Sequence, residues 1–267
     1  MSDECIHGFP DGLCATCNPK PVAEVSVAAR PATHSRVAAP PRATVRSLRA
    51  AARVPIGSAP ADTLLEQRIY HVTHVTNLAG IRERHAIAAG AEPTLDLSPA
   101  QLRAERSQTP VPGTMDSTIA DYVPFFLSPD ASLWHSLRVG LDHPRLSASA
   151  RAADPLEFVF LVSTVRHVVA ADRAFLIADG NVEGAATRFA TTREDAERML
   201  FRLHTDAGGS QLVDSELLVA EALPFESVTL IGVANDRVRQ TVRDLLAGSD
   251  FTPKISVYPP WFQPSSE

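Results

Sequence analysis

Hydrophobic and polar positions alternate most clearly at residues 69–75, IYHVTHV, a pattern that predicts a strand. Side chains along a strand point to its two faces in turn, so Ile69, His71, Thr73 and Val75 share one face and Tyr70, Val72 and His74 the other. Two histidines and a threonine inside a strand are unusual freight, and Thr76 and Asn77 follow just before the Leu78, Ile81 spacing of a helix. Two readings stand: an amphipathic edge strand with a solvated polar face, or a strand that holds a ligand.

The rest of the pattern predicts short strands and helices in alternation. A short helix over 63–68 leads into the first strand, a second occupies about 76–83, and Gly90 marks a turn. Residues 95–106 carry the spacing of another amphipathic helix, ended by Pro110, Pro112 and Gly113. The aromatic block DYVPFFLSP at 121–129 precedes a helical SLWHSLRVG. Residues 157–165, EFVFLVSTV, form the clearest buried strand, a continuous β-branched and aromatic run. Further strands are predicted at 173–177, before the turn signal Asp179-Gly180-Asn181, and at 215–220, 228–233 and 255–258. Helices are predicted at 193–203 and 236–246. Strands and helices interspersed without a regular βαβ repeat give an α+β class for residues 61–267.

Residues 21–60 break the pattern. They are rich in Ala, Pro, Arg and Val without a sustained period, and such a composition buries too little apolar area to offset its ordering entropy. A flexible linker is expected. Charge divides at the same place: residues 1–60 hold seven basic and four acidic side chains, leaving 18 basic and 27 acidic ones for the domain, a balance of −9. A protein that only coats a phosphate backbone is usually basic in its main domain, so nonspecific coating is not what this domain is built for. No apolar run reaches the roughly 18 residues of a membrane span, and the opening MSDECIHG lacks the features of a signal peptide. A soluble, cytoplasmic protein without membrane partners is expected.

All three cysteines lie in the first 17 residues. Cys5, His7, Cys14 and Cys17, spaced Cys-x-His-x6-Cys-x2-Cys among Gly8, Pro10 and Gly12, predict a Cys3His zinc knuckle over residues 1–20. With all four positions filled by protein the zinc would be structural. The other reading is a metal-free, reducible tail.

Among carboxylates Glu216 stands out. It begins an apolar strand directly after a Gly-rich loop, where a side chain can project into a cleft from a rigid element. The competing reading is a solvent-facing glutamate at a strand end, and Glu221 at the far end of the same strand is the control. The chain has no GxGxxG, no Walker loop and no GxSxG elbow.

Five segments occur in an order that resembles the DarT-type ADP-ribosyltransferases: IYHVTHVTNLAGI, DYVPFFLSP, FVFLVST, the Asp-Gly-Asn turn with TRF, and SELLV. Together they span about residues 67–262. The cysteine-rich head also looks like one attached to some bacterial members. The resemblance implies an ADP-ribosyltransferase fold, a split mixed β core with NAD+ in its cleft, and transfer of ADP-ribose to a base of single-stranded DNA, with RNA open. It further implies a toxin or phage-defence effector partnered by a macrodomain-type hydrolase that removes ADP-ribose. Carried over by position, His71, Thr73 and Asn77 match the segment that binds the nicotinamide end of NAD+. Arg106 matches the arginine on the cofactor phosphates, with Arg103 its rival, and Glu216 matches the catalytic glutamate. These roles fit the chemistry: a carboxylate stabilises positive charge developing on the ribose and can take the acceptor's proton, and a guanidinium pairs with pyrophosphate oxygens.

Two positions depart from the resemblance. Asp214 stands beside Glu216 where many relatives have a basic run, and Pro129-Asp130 replaces a Pro-Arg. Both remove positive charge near the expected DNA path, which leaves the acceptor base open. They motivate a second reading, a catalytically inert, zinc-tethered nucleic-acid-binding module. A third is a metal-dependent hydrolase built on the histidines.

Overall fold

The computed structural model describes residues 61–263, apart from 115, 183, 185 and 206–210. The predicted head (1–20) and linker (21–60), including Cys5, His7, Cys14 and Cys17, lie outside the described residues. Among the described residues no helix is long and apolar enough to cross a membrane.

Among the described residues, ten strands and eight helices follow one another in mixed order. The strands are β1 (Arg68–His74), β2 (Ala86–Ala88), β3 (Tyr122–Phe126), β4 (Phe158–Thr164), β5 (Phe175–Ala178), β6 (Phe189–Ala190), β7 (Glu216–Ala220), β8 (Ala222–Pro224), β9 (Leu230–Val233) and β10 (Lys254–Val257). The helices are α1 (Ala61–Glu66), α2 (Leu78–Arg84), α3 (Ala100–Gln108), α4 (Ser132–Arg138), α5 (Ala148–Ala152), α6 (Val165–Ala170), α7 (Arg193–Thr205) and α8 (Asp236–Leu245). Eight strands form one sheet in the order β10-β9-β4-β1-β3-β7-β5-β6, and β2 pairs with β8 separately. The β9–β10 pair is parallel and the other pairs are antiparallel, so the α+β class holds with a mixed sheet.

The expected strands and most helices occur where the pattern put them, with shifts at the ends. The predicted 95–106 helix starts later, at Ala100, because Pro99 sits extended at its N-cap and the preceding residues pack as irregular chain. The β2/β8 ribbon, α5 and α6, three to six residues long, were not predicted.

β1 is central, between β3 and β4, which corrects the edge-strand reading. It pairs with β4 along its whole length, from Arg68 opposite Thr164 to His74 opposite Phe158. Against β3 it keeps only the register pair Tyr70–Phe126. The sheet therefore opens between β1 and β3 beyond Tyr70. Ile69, Leu161, Phe125 and Leu217 pack in the large core on one face, while Tyr70, Phe160, Trp134 and Phe262 form a second, aromatic core on the other. A third cluster around Ile119, Leu176 and Leu218 lies toward β5. Burial of these faces, at about 25 cal/mol per Å² of apolar surface, is the main force holding the open sheet in shape.

Candidate active site

The opening between β1 and β3 leads into a cavity of about 460 Å³, lined by His71, Thr73, Asn77, Arg106, Tyr122 and Glu216 among others. All five cleft residues expected from the sequence thus border one space. Register sets Glu216 in line with Phe126 and Tyr70 and out of line with His71 and Thr73. Strand alternation would turn those side chains to opposite faces, so they meet across the opening in the sheet.

Glu216, the first residue of β7, is only 2% exposed and is flanked by Phe126 of β3 and Ala178 of β5. Its neighbour Ser215 donates to the Gln211 carbonyl at 2.7 Å, closing the turn that leads into the strand. A buried carboxylate needs charged or hydrogen-bonding partners. Glu216 has two: Arg145 Nη2 lies 2.5 Å from Oε1, and Arg106 Nη2 lies 3.5 Å from Oε2. Glu221 behaves as the control expected, exposed at a turn and paired with Arg173 at 2.8 Å.

Arg106 reaches Glu216 from the buried side of α3, where it shares its face with Leu102. Arg103, one turn earlier, also borders the cavity but is 49% exposed and ion-paired with Asp96 at 2.7 Å. Of the two, Arg106 is the one that is buried and in contact with Glu216. Arg145 was not foreseen. It sits in the irregular connection between α4 and α5, where no periodicity marks a residue as inward-facing, and its only local signal is the motif His143-Pro144-Arg145. Ser147 holds this loop down, donating through Oγ to the Asp96 carbonyl at 2.6 Å while its N–H donates to the Leu97 carbonyl at 2.9 Å.

On β1, His71 Nδ1 lies 3.0 Å from the Pro124 carbonyl oxygen. A carbonyl only accepts, so Nδ1 carries the proton and Nε2 of the neutral ring is an acceptor. Burial pushes the imidazole below its ordinary 6.5, with the Pro124 bond offsetting part of the effect. Asn77 donates to Thr73 Oγ1 at 2.9 Å and to the Leu95 carbonyl at 2.7 Å, and accepts from the Leu95 N–H at 2.9 Å. Both amide protons are committed within the protein, so Asn77 orients Thr73 and ties the 95-loop over the cavity. His74 turns away and links Thr76 Oγ1 at 2.9 Å to Glu157 at 3.5 Å.

A second, larger cavity of about 880 Å³ adjoins the first and, among the described residues, shares only Leu133 and Arg145 with its lining. Its walls bring His143, Arg188 and Arg202 together with Asp179 and Asp214. Of the two acids that departed from the resemblance, Asp214 therefore faces this groove. Asp130 is ion-paired with Arg138 at 3.5 Å. Among the described residues no group of three or more His, Cys, Asp or Glu side chains is placed to hold a metal, so the metal-dependent hydrolase has no site there.

Comparison with known proteins supplies the family. A DNA ADP-ribosyl transferase of Thermus aquaticus is 25% identical over 185 residues, covering 67% of this chain and 80% of the relative. Two solved structures of DarT from Thermus sp. 2.9 share the fold. One, in complex with ADP-ribosylated ssDNA, superposes with a TM-score of 0.63 at 21% identity, covering 74% of this chain and 97% of that one. The other, in complex with NAD+, gives 0.59 at 22% identity, covering 74% and 98%. The family model described as "ssDNA thymidine ADP-ribosyltransferase, DarT" matches residues 70–263, nearly all of the described domain, and the chain belongs to the DarT family.

Proposed function

We propose that this chain transfers ADP-ribose from NAD+ to a base of single-stranded DNA, with Glu216 as its catalytic carboxylate. The observation that carries this reading is a carboxylate buried between two guanidinium groups at the wall of a nucleotide-sized cavity. What the two Thermus structures hold supports both substrates.

The residues present fit NAD+. Arg106 offers charge-assisted bonds to pyrophosphate oxygens, and the rings of Tyr122 and Phe126 give flat apolar wall for a planar base. His71 Nε2 is an acceptor for a ribose hydroxyl or a carboxamide N–H, and Thr73, held by Asn77, adds a second polar group. When bound, NAD+ supplies an activated ribose whose bond to nicotinamide is already weakened by the positive ring. Glu216 then does two things: its negative charge stabilises the positive charge that grows on the ribose, and an oxygen receives the proton released by the acceptor nitrogen. In thymidine, the base that the family description names, the ring nitrogen bearing a proton is N3, and it is the first acceptor to test.

The acceptor is single-stranded because stacking and pairing shield that nitrogen in a duplex. The second cavity, with Arg145, Arg188 and Arg202, is the path proposed for the strand. The zinc knuckle at Cys5, His7, Cys14 and Cys17, the linker before residue 61 and the cytoplasmic location belong to the same proposal on the sequence pattern alone, and the macrodomain-type antitoxin partner on the resemblance to the family.

The test is mass spectrometry of mixed single-stranded DNA and RNA oligonucleotides incubated with NAD+ and the full chain. An ADP-ribose mass addition on DNA, located at one base, is expected. No addition to any oligonucleotide, together with no binding of a non-hydrolysable NAD+ analogue, would leave the inert nucleic-acid-binding module.

A further inference from the structure

We infer that Arg145 is a gate between the two cavities, a positioning residue that keeps Glu216 covered until the acceptor strand arrives. The inference rests on the proposed transferase reading and adds to it a reason for the enzyme to spare NAD+ when no DNA is present.

Three observations carry it. Among the described residues, Arg145 and Leu133 are the two that line both the nucleotide cavity and the groove beside it. Leu133 is an apolar wall, so Arg145 is the charged group in the partition. Second, its Nη2 lies 2.5 Å from Glu216 Oε1, while Arg106 approaches Oε2. Each carboxylate oxygen is therefore engaged by a cation. Third, the backbone around Arg145 is anchored: its N–H donates to His143 Nδ1 at 3.2 Å, Leu146 is buried, and Ser147 caps α5 by accepting from the Ala150 N–H at 3.0 Å. What can move without unfolding the loop is the arginine side chain, by rotation about its own bonds.

The partner that would draw it away is a phosphodiester. A strand in the groove presents oxygens to Arg145 and to Arg188 and Arg202 on the far walls, and phosphate matches a guanidinium fork as well as carboxylate does. Exchange of Glu216 for phosphate keeps the arginine paired throughout and uncovers Oε1 on the side from which the base enters. Glu216 can then take the acceptor's proton. As that bond to the ribose carbon forms, the bond to nicotinamide breaks and its electron pair leaves with the ring, neutralising the ring's charge. Water needs the same oxygen to be deprotonated on the way to free ADP-ribose, so a covered Oε1 also holds back hydrolysis. Acceptor binding and chemistry are coupled through one side chain, and the coupling is reciprocal in binding terms.

The experiment measures nicotinamide release by wild type, Arg145→Gln and Arg145→Lys, each with and without a mixed-sequence thymidine-containing single-stranded oligonucleotide. Thermal melting confirms that each is folded, and Glu216→Gln serves as the blank. Wild type should release nicotinamide at least tenfold faster with the oligonucleotide. In Arg145→Gln that ratio should collapse toward one, with DNA-free release rising about threefold or more. Arg145→Lys, which restores a charge without the fork, should fall between them. A structural defect alone would slow both reactions together and keep the ratio, and that outcome, or a fall in DNA-free release, overturns the gate while leaving the transferase reading intact. If wild type itself labels no oligonucleotide, the transferase reading falls and the gate with it.

Discussion

Replacing Glu216 by Gln tests both the chemistry and the electrostatics of the site. The amide keeps the size of the carboxylate but loses its charge, so Arg106 and Arg145, whose side chains are 10% and 14% exposed, face one neutral oxygen and one NH2 group. With charge centres taken as about 4 Å apart, each pair has about 4 kcal/mol of gross attraction at an effective dielectric near 20. Most of that is offset because the ions were desolvated on folding, and breaking a buried pair typically costs about 3–5 kcal/mol net. One guanidinium can still donate to the amide oxygen, which brings the expected loss to about 3 kcal/mol. For a domain of this size that is a fall of about 6–12 °C in Tm, measured by calorimetry. Transfer to oligonucleotide should fall by about 10³-fold or more, since both the proton acceptor and the charge opposite the ribose are gone, equivalent to about 4 kcal/mol of barrier. Labelling with radiolabelled NAD+, run well below the variant's Tm, separates the two effects. A rate within tenfold of wild type would remove Glu216 from its role. A rise in Tm with activity lost would instead mean that the desolvation of the three ions outweighs their mutual attraction.

Other outcomes follow from the same geometry. Arg106→Ala should abolish detectable binding of a non-hydrolysable NAD+ analogue and cut labelling by at least 100-fold, whereas Arg103→Ala, half exposed and paired with Asp96, should stay within about threefold. Asn77→Ala removes three hydrogen bonds and leaves the Leu95 amide groups unsatisfied, for a loss of about 2–4 kcal/mol in denaturant unfolding and a higher KM for NAD+ as the 95-loop loosens. His71 has its folded pKa depressed by burial, so the unfolded state binds the extra proton: its contribution to stability is complete above 6.5 and is lost as pH falls from 6.5 toward the folded value. Denaturant midpoints should therefore decline through that window in wild type and decline less in His71→Gln. An unchanged slope in the variant would refute the assignment.

The sequence carried the domain further than it carried the site. A run such as FVFLVST is apolar at every position, so it must be covered on both faces and could only be a central strand, and β4 is one. The IYHVTHV alternation showed which residues of β1 share a face but not how many neighbours the strand has. Edge and centre differ by pairing with chain far away, here β3 and β4 on either side, and local pattern holds no record of that. The pairing of Glu216 with Arg106 spans 110 positions: Glu216 was legible because it begins an apolar strand after a loop, whereas Arg106 came from the resemblance to the family, with Arg103 as its rival. Arg145 was not legible, since its placement depends on Ser147 fastening an irregular loop to the 96-carbonyl, a contact between two segments without periodicity. Asn77 was found, but as a ligand contact, and the structure gives its amide protons to Thr73 and Leu95 instead.

The acidic balance of the domain also changes meaning once charges have positions. A surplus of carboxylates argued against a site for a polyanion, and Asp130 and Asp214 sharpened that objection. Yet much of the acid is spent elsewhere: on α7, Glu194 and Asp195 pair with Arg198, and Glu197 pairs with Arg193. Glu66 pairs with Arg166 and Glu157 with Arg237, all on exposed surface where such pairs neutralise one another at little energetic consequence. Asp130 is matched by Arg138. In the groove, Asp179 accepts from the Arg188 N–H at 2.8 Å, so part of its charge serves its own turn. The potential felt by a strand depends on charges within about a Debye length, roughly 8–10 Å at physiological salt, not on the sum over the domain. Among the described residues lining the groove, Arg145, Arg188 and Arg202 stand against Asp179 and Asp214, so on the proposed strand path Asp214 would limit how tightly the backbone is held rather than exclude it. A groove of mixed sign suits an enzyme that must release a modified strand and take up another.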